Sequence, residues 1–62
     1  MNDEVLEAYD DLTSDLKRLM SRQIEAAHGA EAASTYVVLR LIEIKRLKRL
    51  QQLQQSGEQS TP

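Results

Sequence analysis

The sequence predicts an all-α fold, a two-helix antiparallel hairpin over about residues 3–28 and 31–55, completed into a helical bundle by self-association or a partner chain. Three observations carry this expectation. Leu, Ala, Glu, Lys, Arg and Gln dominate the composition, and all are good helix formers. Apolar residues recur at helical spacing on both sides of Gly29, the one glycine inside the patterned region. Acidic residues gather in the first half and basic ones in the second.

The first helix starts at Asn2 or Asp3, either of which can cap it, with Asp3, Glu4 and Glu7 near the positive end of the helix dipole. Val5, Tyr9, Leu12, Leu16 and Leu19 follow in steps of four and three and form one stripe. Leu6, Met20, Ile24 and Ala27 widen it, and Asp11, Asp15, Lys17, Arg18, Arg22 and Glu25 line the opposite face. Gln23 falls on the stripe, where a smaller apolar residue is expected. His28-Gly29 closes the helix, because a glycine after the last turn readily takes the left-handed conformation. Ala30, Glu31, Ala32 and Ala33 restart a helix at once, and so short a break folds two helices side by side. The competing picture is one continuous bent helix, since an interior glycine costs only about 1 kcal/mol.

The second helix contains the most apolar and most basic stretch of the chain, Tyr36 to Leu50. Thr35 to Ile44 also has strand-favouring residues, but no second segment offers a strand to pair with. Residues 56–62 form a polar tail expected to be disordered, and residues 1–55 one domain. A chain of 62 residues buries a small core, and with no cysteine it has no disulfide to reinforce it.

Charge supports the hairpin. Asp3, Glu4, Glu7, Asp10, Asp11 and Asp15 lie early, whereas Arg40, Lys45, Arg46, Lys48 and Arg49 lie late. Folding at Gly29 makes residues level when their numbers sum to roughly 59. Asp10 then faces Arg49, Asp11 faces Lys48, and Asp15 faces Lys45. The expected hairpin core is Val5, Tyr9, Leu12, Leu16, Leu19, Leu39, Leu47 and Leu50. The run Lys45 to Arg49 is thereby accounted for as the counter-face of an acidic helix. The alternative is a dimeric four-helix-bundle regulator contacting nucleic acid through Arg40, Lys45, Lys48 and Arg49. The net charge of −2 and the lack of interleaved aromatics weigh against it.

One partner helix covers one side, yet apolar residues from Tyr36 to Ile44 point nearly all round the second helix. The surface left over assigns partner binding to Tyr36, Val37, Val38, Leu41, Ile42 and Ile44. A cluster of this kind marks an interface. Its occupant is either a second copy or a different protein, so the reading is a non-enzymatic adaptor, chaperone-like or regulatory subunit. The acidic start lacks the pattern of a signal peptide, no apolar run has membrane-spanning length, and the absence of cysteine fits a reducing compartment. A cytoplasmic protein that does not enter membranes is expected.

Catalysis finds little support. Glu25-x-x-His28 has the spacing of a ligand pair in dinuclear carboxylate bundles, but those sites need further inward Glu residues, and this pair lies at the wet turn. Ser14, Ser21 and Ser34 have no His and acid arranged with them, and no glycine-rich phosphate loop is present. No enzyme, metal or cofactor is expected. Gln51, Gln52, Gln54 and Gln55 around Leu53 read as a fraying helix end.

Overall fold

The structure, a computed structural model, describes the backbone of residues 3–59 and the side chains of residues 3–55. Helix α1 runs Glu4–Glu25 and helix α2 runs Gly29–Gln59, and the two pack against each other as an antiparallel hairpin. The strand alternative for Thr35 to Ile44 is not taken, and helix covers that segment throughout. The second helix begins two residues earlier than the sequence suggests and continues through residues 56–59, which were expected in the polar tail. Asn2 and residues 60–62 lie outside the described residues.

Asp3 caps α1. Its carboxylate accepts from the Leu6 N–H at 3.0 Å, and its carbonyl accepts from the Glu7 N–H at 3.1 Å. The first of these satisfies an N–H of the first turn that has no intrahelical partner, and the second is the first bond of the helix, with Glu4 and Glu7 adding favourable charge to the dipole's positive end.

The turn pivots on Ala27 and not on Gly29. Ala27 has φ of 60°, the left-handed conformation, whereas Gly29 is the first residue of α2 and has no positive φ. The His28 N–H reaches the Gln23 carbonyl at 2.8 Å, and the Ala27 N–H reaches the Ile24 carbonyl at 3.0 Å. These two bonds close the end of α1 in the Schellman pattern, with alanine at the position glycine usually holds. The His28 carbonyl then accepts from the Ala32 N–H at 2.9 Å and opens α2. A chain can reverse at alanine because the strain, about 1–2 kcal/mol, is small beside what two packed helices gain.

Moving the pivot two residues back resets which residues are level. Asp10 meets Arg46, one turn before the expected Arg49, with Arg46 Nε donating to Asp10 Oδ1 at 2.7 Å. Arg49 extends to Asp3, its Nη2 2.8 Å from Oδ2 and its Nε 3.4 Å from Oδ1. Asp15 pairs within its own helix, with Arg18. The expected pairs of Asp11 with Lys48 and Asp15 with Lys45 do not form.

The seam between the helices is narrower than the apolar stripe. On α2 the buried residues are Ala32, Thr35, Leu39 and Ile42, followed by half-buried Arg46 and Arg49. On α1 the half-buried residues are Leu6, Tyr9, Thr13, Leu16, Met20 and Gln23. Both series step alternately by three and four, the spacing of a coiled-coil seam. Of the expected hairpin core, Leu39 is buried and Tyr9, Leu16 and Leu50 are half-buried. Val5, Leu12, Leu19 and Leu47 are instead exposed, because the seam passes to one side of them. Ile42, expected on the partner-binding surface, is 8% exposed and belongs to the seam.

A polar contact sits at the turn end of the seam. Thr35 Oγ1 lies 2.7 Å from Gln23 Oε1 and 3.0 Å from the Glu31 carbonyl. One hydroxyl proton serves one acceptor at a time. Both contacts become hydrogen bonds at once when the Gln23 amide is turned so that its nitrogen donates to Thr35. Gln23, out of place in the apolar pattern, thus has a partner across the hairpin. Thr13 Oγ1, in contrast, is buried with no hydrogen-bond partner among the described residues.

Candidate interaction surface

Most residues outside the seam are exposed, so the exposed apolar ones among them define the candidate surface. Five of the six residues assigned to partner binding are there: Tyr36, Val37, Val38, Leu41 and Ile44 are 45–56% exposed. They do not form one face. At about 100° per residue, Tyr36 points about 140° away from Leu41, whereas Val37, Val38, Leu41 and Ile44 lie on one side of α2.

Helix α1 contributes a second strip that the sequence pattern hid inside the hairpin. Val5, Leu12 and Leu19 are 40%, 45% and 38% exposed and recur every seven residues, which keeps them on one line. Val5 shares a surface hollow with Tyr9 of α1 and with Lys45, Lys48, Arg49 and Gln52 of α2. The Val5 strip of α1 therefore borders the Lys45 side of α2. One heptad from Lys45 toward the turn is Val38, and four residues back is Leu41, so both lie on that same side. The result is a face spanning both helices. It is apolar toward the turn, at Leu12, Leu19, Val38 and Leu41, and basic toward the open end, at Lys45 and Lys48.

The charged residues divide between the hairpin and this outer surface. Asp3, Asp10, Arg46 and Arg49 are joined across the helices. The fork from Arg49, and after it the Leu6 N–H, hold the Asp3 carboxyl below the usual carboxylate range, and Asp3 in turn raises Arg49. Arg40 pairs with Glu43 on its own helix at 3.4 Å. Of the basic residues considered for nucleic acid, Arg40 and Arg49 are thus engaged by acids, while Lys45 and Lys48 have no ion-pair partner among the described residues. Glu25 and His28 do not come together as a ligand pair. His28 Nδ1 lies 3.2 Å from Glu31 Oε2, both largely exposed at the turn. Among the described residues no three of His, Cys, Asp and Glu gather as a metal-ion cluster. A further hollow, edged by Asp15, Lys17, Arg18, Ser21 and Arg22, lies on the outer side of α1, where no second element closes it. No helix among the described residues is long and apolar enough to cross a membrane.

Comparison with protein-family models, curated proteins and solved structures finds no match to this chain.

Proposed function

We propose that this chain is a non-enzymatic protein–protein interaction module, a small adaptor, chaperone-like or regulatory subunit of the cytoplasm. It docks through the apolar face that the hairpin leaves uncovered. The observation that carries the reading is the coincidence of Leu12, Leu19, Val38 and Leu41, each between 38% and 53% exposed, on one side of two packed helices. Single exposed aliphatics are ordinary, but a cluster at coiled-coil spacing is an unfinished layer of core. Full burial of each such side chain is worth about 1.5–3 kcal/mol, so covering what remains open favours association by several kcal/mol in all. The absence of cysteine fits a reducing compartment. The engagement of Arg46 and Arg49 by Asp10 and Asp3 supports a structural role for the basic run in preference to a nucleic-acid contact.

The test is Leu41→Asp in the intact chain. The variant is expected to stay helical by circular dichroism, since Leu41 is 53% exposed and outside the seam, and to lose association. A variant that keeps the wild-type mass and the wild-type set of bound proteins refutes the reading.

A further inference from the structure

We infer that the occupant of this face is a second copy of the same chain, packed face to face so that α1 of each copy lies over α2 of the other. The inference rests on the interaction reading above and adds the identity and orientation of the partner.

The two edges of the face carry opposite charge. On α1, beyond the Leu12 strip and away from α2, lie Glu4, Asp11 and Asp15, spaced seven and four residues apart and all exposed. On α2 the face carries Lys45 and Lys48, also exposed. Asp11, Lys45 and Lys48 make no ion pair among the described residues, whereas Asp15 pairs with Arg18 on its own helix and Asp10, Arg46, Asp3 and Arg49 are consumed inside the hairpin. Toward the open end the face is therefore acidic along one edge and basic along the other, while nearer the turn the α1 edge carries Arg18 and Arg22.

Such a face complements itself. The Asp10–Arg46 bond fixes the level of the two helices, and Asp11 and Lys45 are their chain neighbours, hence level as well. A twofold axis running along the helices, between two stacked faces, leaves every level unchanged and exchanges left for right. It sets the acidic edge of each copy over the basic edge of the other, once on each side, and stacks Leu12 and Leu19 of one copy against Val38 and Leu41 of the other. A twofold axis across the helices sets α1 over α1 and loses this match. Size agrees too. Two helices side by side over the length of α1 present about 33 Å by 20 Å, a footprint of roughly 660 Å², close to the ~800 Å² per partner of a stable specific interface.

The experiment is sedimentation equilibrium of the intact chain at low salt, with circular dichroism as the check on folding. Wild type is expected to form dimers of twice its 7.1 kDa mass. Asp11→Lys with Asp15→Lys should weaken the dimer about tenfold or more, and so should Lys45→Glu with Lys48→Glu, since each puts like charges together at both edges. All four substitutions in one chain should restore the wild-type dissociation constant to within a few-fold, because the edges again match. Failure of the fourfold variant to recover overturns the stated orientation. A helical wild type that stays monomeric up to about 200 μM, where even the weakest useful self-association of order ~100 μM would show, overturns self-pairing. The Leu41→Asp comparison of bound proteins then separates that outcome from failure of the interaction reading itself.

Discussion

Exchanging the positions of the turn's alanine and glycine tests the hairpin's geometry with two substitutions, neither of which should destabilise. Ala27 sits at φ of 60°, where an L-residue with a Cβ is strained by about 1–2 kcal/mol. Glycine there removes the strain but adds about 0.4–1 kcal/mol of unfolded-chain entropy. The net expectation for Ala27→Gly is a gain of about 0.5–1 kcal/mol. Gly29 lies in the first turn of α2, and a Cβ built on it meets nothing within 4 Å. Gly29→Ala should therefore be neutral or gain up to about 0.5–1 kcal/mol. The assay is urea unfolding followed by circular dichroism at one fixed protein concentration, which holds the proposed association constant across the variants. If Gly29 were the left-handed residue, both signs would invert: Gly29→Ala would cost about 1–2 kcal/mol and Ala27→Gly would destabilise by about 1 kcal/mol, like any glycine in a helix. That inverted pattern refutes the pivot at Ala27 and the register that follows from it.

Three further outcomes follow from the seam. Thr13→Val removes a buried hydroxyl without a partner at nearly constant shape, and should raise the urea midpoint by the equivalent of about 1 kcal/mol. Thr35→Val alone should cost about 1 kcal/mol by leaving the Gln23 amide unpartnered, whereas Thr35→Val with Gln23→Leu should recover most of it; a double-mutant cycle with no coupling contradicts the contact. Because the Asp3 carboxyl is held below its unfolded value of about 3.9, its contribution to stability is complete above that pH and lost as pH falls through the lower folded value. Thermal melts of wild type should thus lose stability below about pH 4, and Asp3→Asn should flatten that part of the profile; an unchanged acid limb contradicts the Arg49 fork.

The helices, their antiparallel arrangement and an uncovered face were legible in the sequence, and the rotation of α1 was not. The stripe Val5, Tyr9, Leu12, Leu16, Leu19 is real, but it is wider than one neighbouring helix can cover. Hydrophobicity ranks Leu12 above Thr13, and the seam takes Thr13. On that side lie specific polar contacts, Gln23 with Thr35, Asp10 with Arg46 and Asp3 with Arg49, which an apolar pattern does not weigh. Signals were present. Ala32, Thr35, Leu39 and Ile42 step by three and four, and Gln23 was the misfit on the stripe. The turn was misplaced for a related reason: glycine is the strongest punctuation, yet the closing hydrogen bonds form at Ala27, whose conformation costs little relative to helix packing. Once the pivot shifts, each charge pair shifts by about a turn. The uncovered apolar surface moves with it, from one side of α2 to a face shared by both helices.

The dependence of solution mass on concentration tests that shared face most directly, compared between wild type and Leu12→Asp. Leu12, 45% exposed, distinguishes the two pictures because it belongs to the hairpin core in one and to the outer face in the other. Wild type is expected to pass from 7.1 kDa to twice that mass as concentration rises, and Leu12→Asp to remain a helical monomer over the same range. A Leu12→Asp chain that dimerises like wild type, or that loses its helices altogether at concentrations where wild type is a helical monomer, contradicts that expectation.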